Sequence, residues 1–102
     1  MAKVIEGLAG DIARALESAG FVSYRGGDKR GRSGYWIEDR GGWAKIKYVA
    51  GADEMICSDY NRRVALPEYA QALRAAGFSG VGVIVTQRAG DWVQASPQEV
   101  SR

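Results

Sequence analysis

Twice the chain reads Ala-Leu-x-x-Ala-Gly-Phe, at residues 15–21 and again at 72–78. Each copy has the chemistry of a helix end: alanine and leucine favour the helix, glycine enters the left-handed conformation that closes it, and phenylalanine folds back onto the last turn. Common helix-stop chemistry accounts for the match better than duplication of a longer unit. Both helices therefore feed directly into strands, and an α+β chain is the expectation.

Periodicity fills in the elements between these two stops. Val4, Ile5, Leu8, Ile12, Leu16 and Ala19 recur at spacings of three and four, one stripe of an amphipathic helix over residues 2–19. Residues 21–25 read as a short strand and 26–33 as an exposed polar, glycine-rich loop. Residues 35–39 and 43–49 read as two strands joined by a tight hairpin through Arg40-Gly41-Gly42. In the second, Ala44, Ile46 and Tyr48 alternate with Trp43, Lys45 and Lys47, giving one core face and one basic face with a tryptophan. A weaker strand is expected over residues 54–59. A second helix is expected over 67–76, with Pro67 at its first position and Leu66, Tyr69, Leu73 and Ala76 as its stripe. Strands over 81–87 and 92–95 follow, and 97–102 reads as a loose tail. The predicted order is α-β-β-β-(β)-α-β-β, with four to six strands in a mostly antiparallel sheet and two helices packed on one face, since neither helix buries its stripe otherwise.

At 102 residues with 46% hydrophobic and 25% charged residues, the chain has the size and composition of one globular domain, expected over residues 1–96. It contains neither a signal-like apolar run near Met1 nor any segment approaching the roughly 20 apolar residues of a membrane span, so a cytoplasmic protein without membrane contact is expected. Cys57 is the only cysteine and there is no histidine. An internal disulfide and a zinc cluster are thereby excluded, and Cys57 reads as a small buried hydrophobe.

Charge is unevenly placed. Residues 24–48 hold seven basic and three acidic side chains, a net +4, whereas the whole chain carries only +2. Arg25, Lys29, Arg30 and Arg32 alternate with glycines in the loop, which puts several cations on a backbone able to follow phosphates. Tyr24, Tyr35, Trp36 and Trp43 lie beside them and are suited to stacking on unpaired bases. The competing reading is a solvated hairpin loop whose aromatics serve the core. Trp43, placed outward on one face with Lys45 and Lys47, favours a binding surface, because it is a poor choice for solubility alone. Arg62 and Arg63 add a second basic spot just before the predicted second helix, also readable as a turn with solvated arginines.

Catalysis finds little support. No histidine is available as a general base, Cys57 has no activating neighbour, and no serine sits in a nucleophile elbow. The glycines form neither a Walker loop nor a dinucleotide fingerprint. Asp53, Glu54 and Asp59 match no cation-binding loop and read better as a solvated edge. No enzyme, cofactor or metal is expected.

The order helix, three strands, helix over residues 2–78, with Ala-Gly-Phe closing the first helix, resembles double-stranded RNA-binding domains and the small toxin ribonucleases of the HicA family. The likeness is one of topology. The chain has no counterpart of the histidine those toxins use, nor of the lysine cluster that double-stranded RNA binders set on phosphates at the second helix, where Arg62 and Arg63 are the nearest substitutes. Residues 35–76 are also similar to the three-stranded sheet plus helix at the N-terminus of phage integrases, where the sheet reads DNA.

The expected function is that of a small non-enzymatic nucleic-acid-binding accessory protein, using Arg25, Lys29, Arg30, Arg32, Lys45 and Lys47 on phosphates and Trp36 or Trp43 for stacking, with Arg62 and Arg63 as an auxiliary spot. The alternative is a protein-binding module, an inhibitor or adaptor of phage or mobile-element origin, that offers the same surface to an acidic protein partner, with a homodimer as one form.

Overall fold

The computed structural model describes residues 7–25, 31–51, 58–86 and 90–98. Their order is α1 (Gly7–Ser18), β1 (Gly34–Asp39), β2 (Ala44–Val49), α2 (Ser58–Ala75), β3 (Phe78–Ile84) and β4 (Trp92–Gln98). The strands form one antiparallel sheet in the order β1-β2-β4-β3. This is the expected α+β class, with the strand number at the lower end of the expected range.

Both helix stops behave as their chemistry dictates. Gly20 has φ 97° and Gly77 has φ 95°. After α1 the Gly20 amide donates to the Glu17 carbonyl at 3.0 Å and the Phe21 amide to the Leu16 carbonyl at 3.0 Å, the paired bonds of a Schellman cap. Phe21 then meets the Tyr69 ring edge-on, with centroids 5.0 Å apart, and Phe78 is buried. Each phenylalanine thus carries the chain from a helix end into the core.

That core lies between one face of the sheet and the two helices. Ile12 and Leu16 from α1 join Leu66, Tyr69, Ala70 and Leu73 from α2, over Tyr35, Ala44, Ile46, Val93 and Ala95 from the strands. The alternation expected in β2 holds, with Ala44 and Ile46 buried and Tyr48 packed against the cluster. Tyr35 ties the layers together: its hydroxyl donates to the Glu17 carboxylate at 2.7 Å. Burial, and then that hydrogen bond, push its phenol pKa up, so it stays protonated and keeps donating.

Several boundaries differ from expectation for identifiable reasons. Residues 21–25 form no strand of the sheet. They make two isolated bridges instead, Ser23 beside Tyr35 and Arg25 opposite Arg32, and so brace the outer edge of β1. Helix α2 begins at Ser58, nine residues before the expected start, and Pro67 lies inside it. Burial of Leu66 just upstream of the proline, with Tyr69, Ala70 and Leu73 downstream, holds one continuous helix on the sheet despite the hydrogen bond proline cannot donate. Ser58 and Asp59, assigned above to a strand over 54–59, belong to the first turn of α2. Residues 54–57, Cys57 among them, lie outside the described residues. Two strands, not three, therefore separate α1 from α2 among the described residues, a departure from the topology of the families named above. Strand β3 starts at Phe78 rather than Val81, because the chain pairs with β4 as soon as Gly77 has turned it. At the other end β4 runs on through Pro97 to Gln98, whose side-chain amide donates to the Ala76 carbonyl at 2.7 Å, so the chain up to Gln98 is not tail.

Candidate nucleic-acid interface

No described helix packs on the sheet's second face. The register places its residues: Trp36 pairs with Lys47 and Glu38 with Lys45, and Lys45 in turn pairs with Gln94. Strand alternation puts Trp92 beside them on the same face. The hairpin that aligns β1 with β2 closes through Gly41-Gly42, with the Arg40 amide donating to the Trp43 carbonyl at 2.8 Å. The Asp39 carboxylate caps the turn by accepting from the Gly41 amide at 2.9 Å.

Trp36 is the open aromatic of this face, 48% exposed, and Tyr24 braces it edge-on with ring centroids 6.0 Å apart. Trp92 is half-buried, and Lys45 lies over its ring with Nζ 4.1 Å from the centroid. Its indole N–H is buried without a hydrogen-bond partner among the described residues. Trp43 is half-buried at the hairpin end. Of the two tryptophans expected to stack, Trp36 is the exposed one.

One carboxylate organises the cations. Glu38 accepts Lys47 Nζ at 3.1 Å and sits 3.5 Å from Arg40 Nη1. The hydrogen bond from Lys47 is the main reason its carboxyl lies below the ordinary carboxylate range, with the charges of Lys47, Lys45 and Arg40 acting in the same direction. Glu38 thus holds the cations around Trp36 in place while cancelling one of their charges.

The rest of the predicted basic set is divided. Arg25 and Arg32 face each other across a pair of backbone hydrogen bonds of 3.0 and 2.9 Å, and their side chains part from there. Arg25 is exposed, whereas Arg32 turns inward and donates through Nε to the Ser23 carbonyl at 2.9 Å. Arg32 is therefore part of the fastening of residues 22–25 as well as a charge. Lys29 and Arg30 lie outside the described residues. Arg62 and Arg63 stand on α2, in the helical layer, and the fold does not bring them to the face that carries Trp36. Sequence reasoning left two members of the face out of the predicted site, Arg40 as a partner of Glu38 and Trp92 under Lys45, and it reads Tyr24 as a stacking ring where the structure makes it the brace of Trp36. The alternation of Trp92 and Gln94 was the available signal, but only the register shows that β4 lies next to β2.

Among the described residues no group of three or more cysteine or acidic side chains is placed to hold a metal, and no helix is long and apolar enough to cross a membrane. Asp53 and Glu54 lie outside the described residues. No family model, curated protein or solved structure matches the chain.

Proposed function

We propose that this chain is a small non-enzymatic nucleic-acid-binding protein that takes an unpaired strand across the helix-free face of its sheet. The observation that carries the reading is Trp36, a large aromatic left half exposed beside Lys47 and braced by Tyr24, where a core role would bury it. A base stacks on such a ring whatever its identity, and an open tryptophan on a sheet face suits separated bases better than a closed duplex. Lys47 beside Trp36, Lys45 beside Glu38 and Arg40 at 3.5 Å from the same Glu38 supply the charge for phosphates.

The test is binding to a single-stranded oligonucleotide across a salt series. Affinity is expected to fall as salt rises, with a log–log slope of about −0.7 for each phosphate contacted. Lys47→Ala lowers that slope, whereas Trp36→Ala leaves it nearly unchanged and weakens binding by ~1–3 kcal/mol, since stacking is not an ionic term. If neither single nor double strands bind at low salt, the same face is left to an acidic protein partner.

A further inference from the structure

The two edges of the sheet are treated differently. At β1 the edge is braced by residues 22–24, whose Val22 carbonyl and Tyr24 amide pair with Tyr35, and it carries Glu38 and Asp39. Such bracing and charge are how proteins stop an edge from pairing with another chain. Strand β3 forms the opposite edge: Arg74 covers it at Val81 and register shifts interrupt it between Phe78 and Gly82, but residues 82–86 carry neither brace nor charge. From Phe78 to Thr86 the chain holds no charged residue and no proline. Among the described residues no strand lies beyond β3. Val83 and Val85 are 37% and 74% exposed, and together with Leu66 and Pro67 they line a groove of about 360 Å³ between α2 and this edge. Arg63 and Asp91, one charge of each sign, complete its walls.

We propose that a second copy of this chain occupies that edge, residues 82–86 of the two copies, the end of β3 and the two residues after it, pairing antiparallel across a two-fold axis at Ile84 to make one eight-stranded sheet. This register sets Val83 of each copy opposite Val85 of the other, so the two exposed valines cover each other on the helical side. The argument for a second copy is self-complementarity. An uncharged strand meets itself without opposing like charges, it offers nothing to a charged stranger, and a two-fold pairing consumes the edge so that assembly stops at two. Val81, whose carbonyl already accepts from Arg74 at 3.2 Å, lies outside the paired stretch. The proposal does not depend on nucleic-acid binding, since the edge is separate from Trp36.

Light scattering or sedimentation across a concentration series is expected to give a mass of about 22 kDa, twice the 11.0 kDa of the chain. Val85→Lys sets a charge into the pairing and weakens the dimer by at least about tenfold, so it melts below wild type where wild type is dimeric and matches it once both are diluted to monomers, because Val85 is exposed in the monomer. Val22→Lys, at an exposed valine far from this edge, leaves the dimer unchanged. A second variant fixes the register: with Cys57→Ser in place, Ile84→Cys oxidises to a covalent dimer, because residues opposed across an antiparallel pair lie within disulfide reach. A mass of 11.0 kDa at every concentration, assemblies larger than a dimer, a dimer unmoved by Val85→Lys, or failure of Ile84→Cys to cross-link overturns the proposal.

Discussion

Glu38 sits among Lys45, Lys47 and Arg40 and limits how much of their charge reaches a partner. Replacing it by glutamine is expected to tighten nucleic-acid binding and steepen its salt dependence, since one more cation is released to phosphates. The effect on stability is small, within the ~0–1 kcal/mol of exposed ion pairs. Its pH dependence has a definite sign. Because the folded carboxyl lies below its ordinary 4.5, the stabilising contribution is present above that value and is lost as acid protonates Glu38. An acid titration of the melting temperature is expected to lose that step in Glu38→Gln. Side-chain identity announced a basic aromatic stretch, but whether Trp36 or Trp43 is the open ring was invisible there. That depends on what packs beside each, which the chain order does not state.

Helix α2 and strand β2 show where local and tertiary preferences agree or conflict. In β2 they agree: the alternation of Ala44, Ile46 and Tyr48 was legible, and Ile46 is fully buried between β1 and β4. Ile46→Asp is expected to abolish the cooperative melt, because a buried unpaired charge costs several kcal/mol against a total stability of ~5–15. In α2 they conflict, since Pro67 is well suited to a first helical position yet lies in the interior of an 18-residue helix. Proline is exposed there, so Pro67→Ala removes a backbone penalty without opening a cavity. The expected gain is ~1–3 kcal/mol, read as a rise in melting temperature of at least ~4 °C. A fall would mean that the helix depends on the proline.

Across the molecule, the two layers part the basic residues expected at the site, with Lys45 and Lys47 near Trp36 on the sheet and Arg62 and Arg63 on α2. The passage between them is fastened where three segments cross. A Cβ built at Gly51 would lie 2.4 Å from the Arg32 carbonyl carbon, and the Gly51 amide donates to the Ser33 hydroxyl at 2.9 Å. Gly51→Ala therefore pushes the Arg32 segment away from its seat, with an expected loss of ~1–3 kcal/mol in denaturant titration. The same displacement loosens the bridge between Arg25 and Arg32, so nucleic-acid affinity is expected to fall although no contacting side chain has changed.

What rests on neighbours along the chain was legible in the order of residues: two helices closed by glycine caps, the hairpin through Gly41-Gly42, the two faces of β2, and the concentration of positive charge in residues 24–48. These follow from backbone sterics and from side-chain periods of two and 3.6, which act over a few residues. Long-range packing set the strand order β1-β2-β4-β3, the conversion of residues 21–25 into a brace, the run of α2 through Pro67 and the company of Trp36. Each of these is settled by burial and by pairing between segments far apart in the chain. There the burial of a Leu66 outweighs the preference of a Pro67, and no local pattern records which strand will lie beside which.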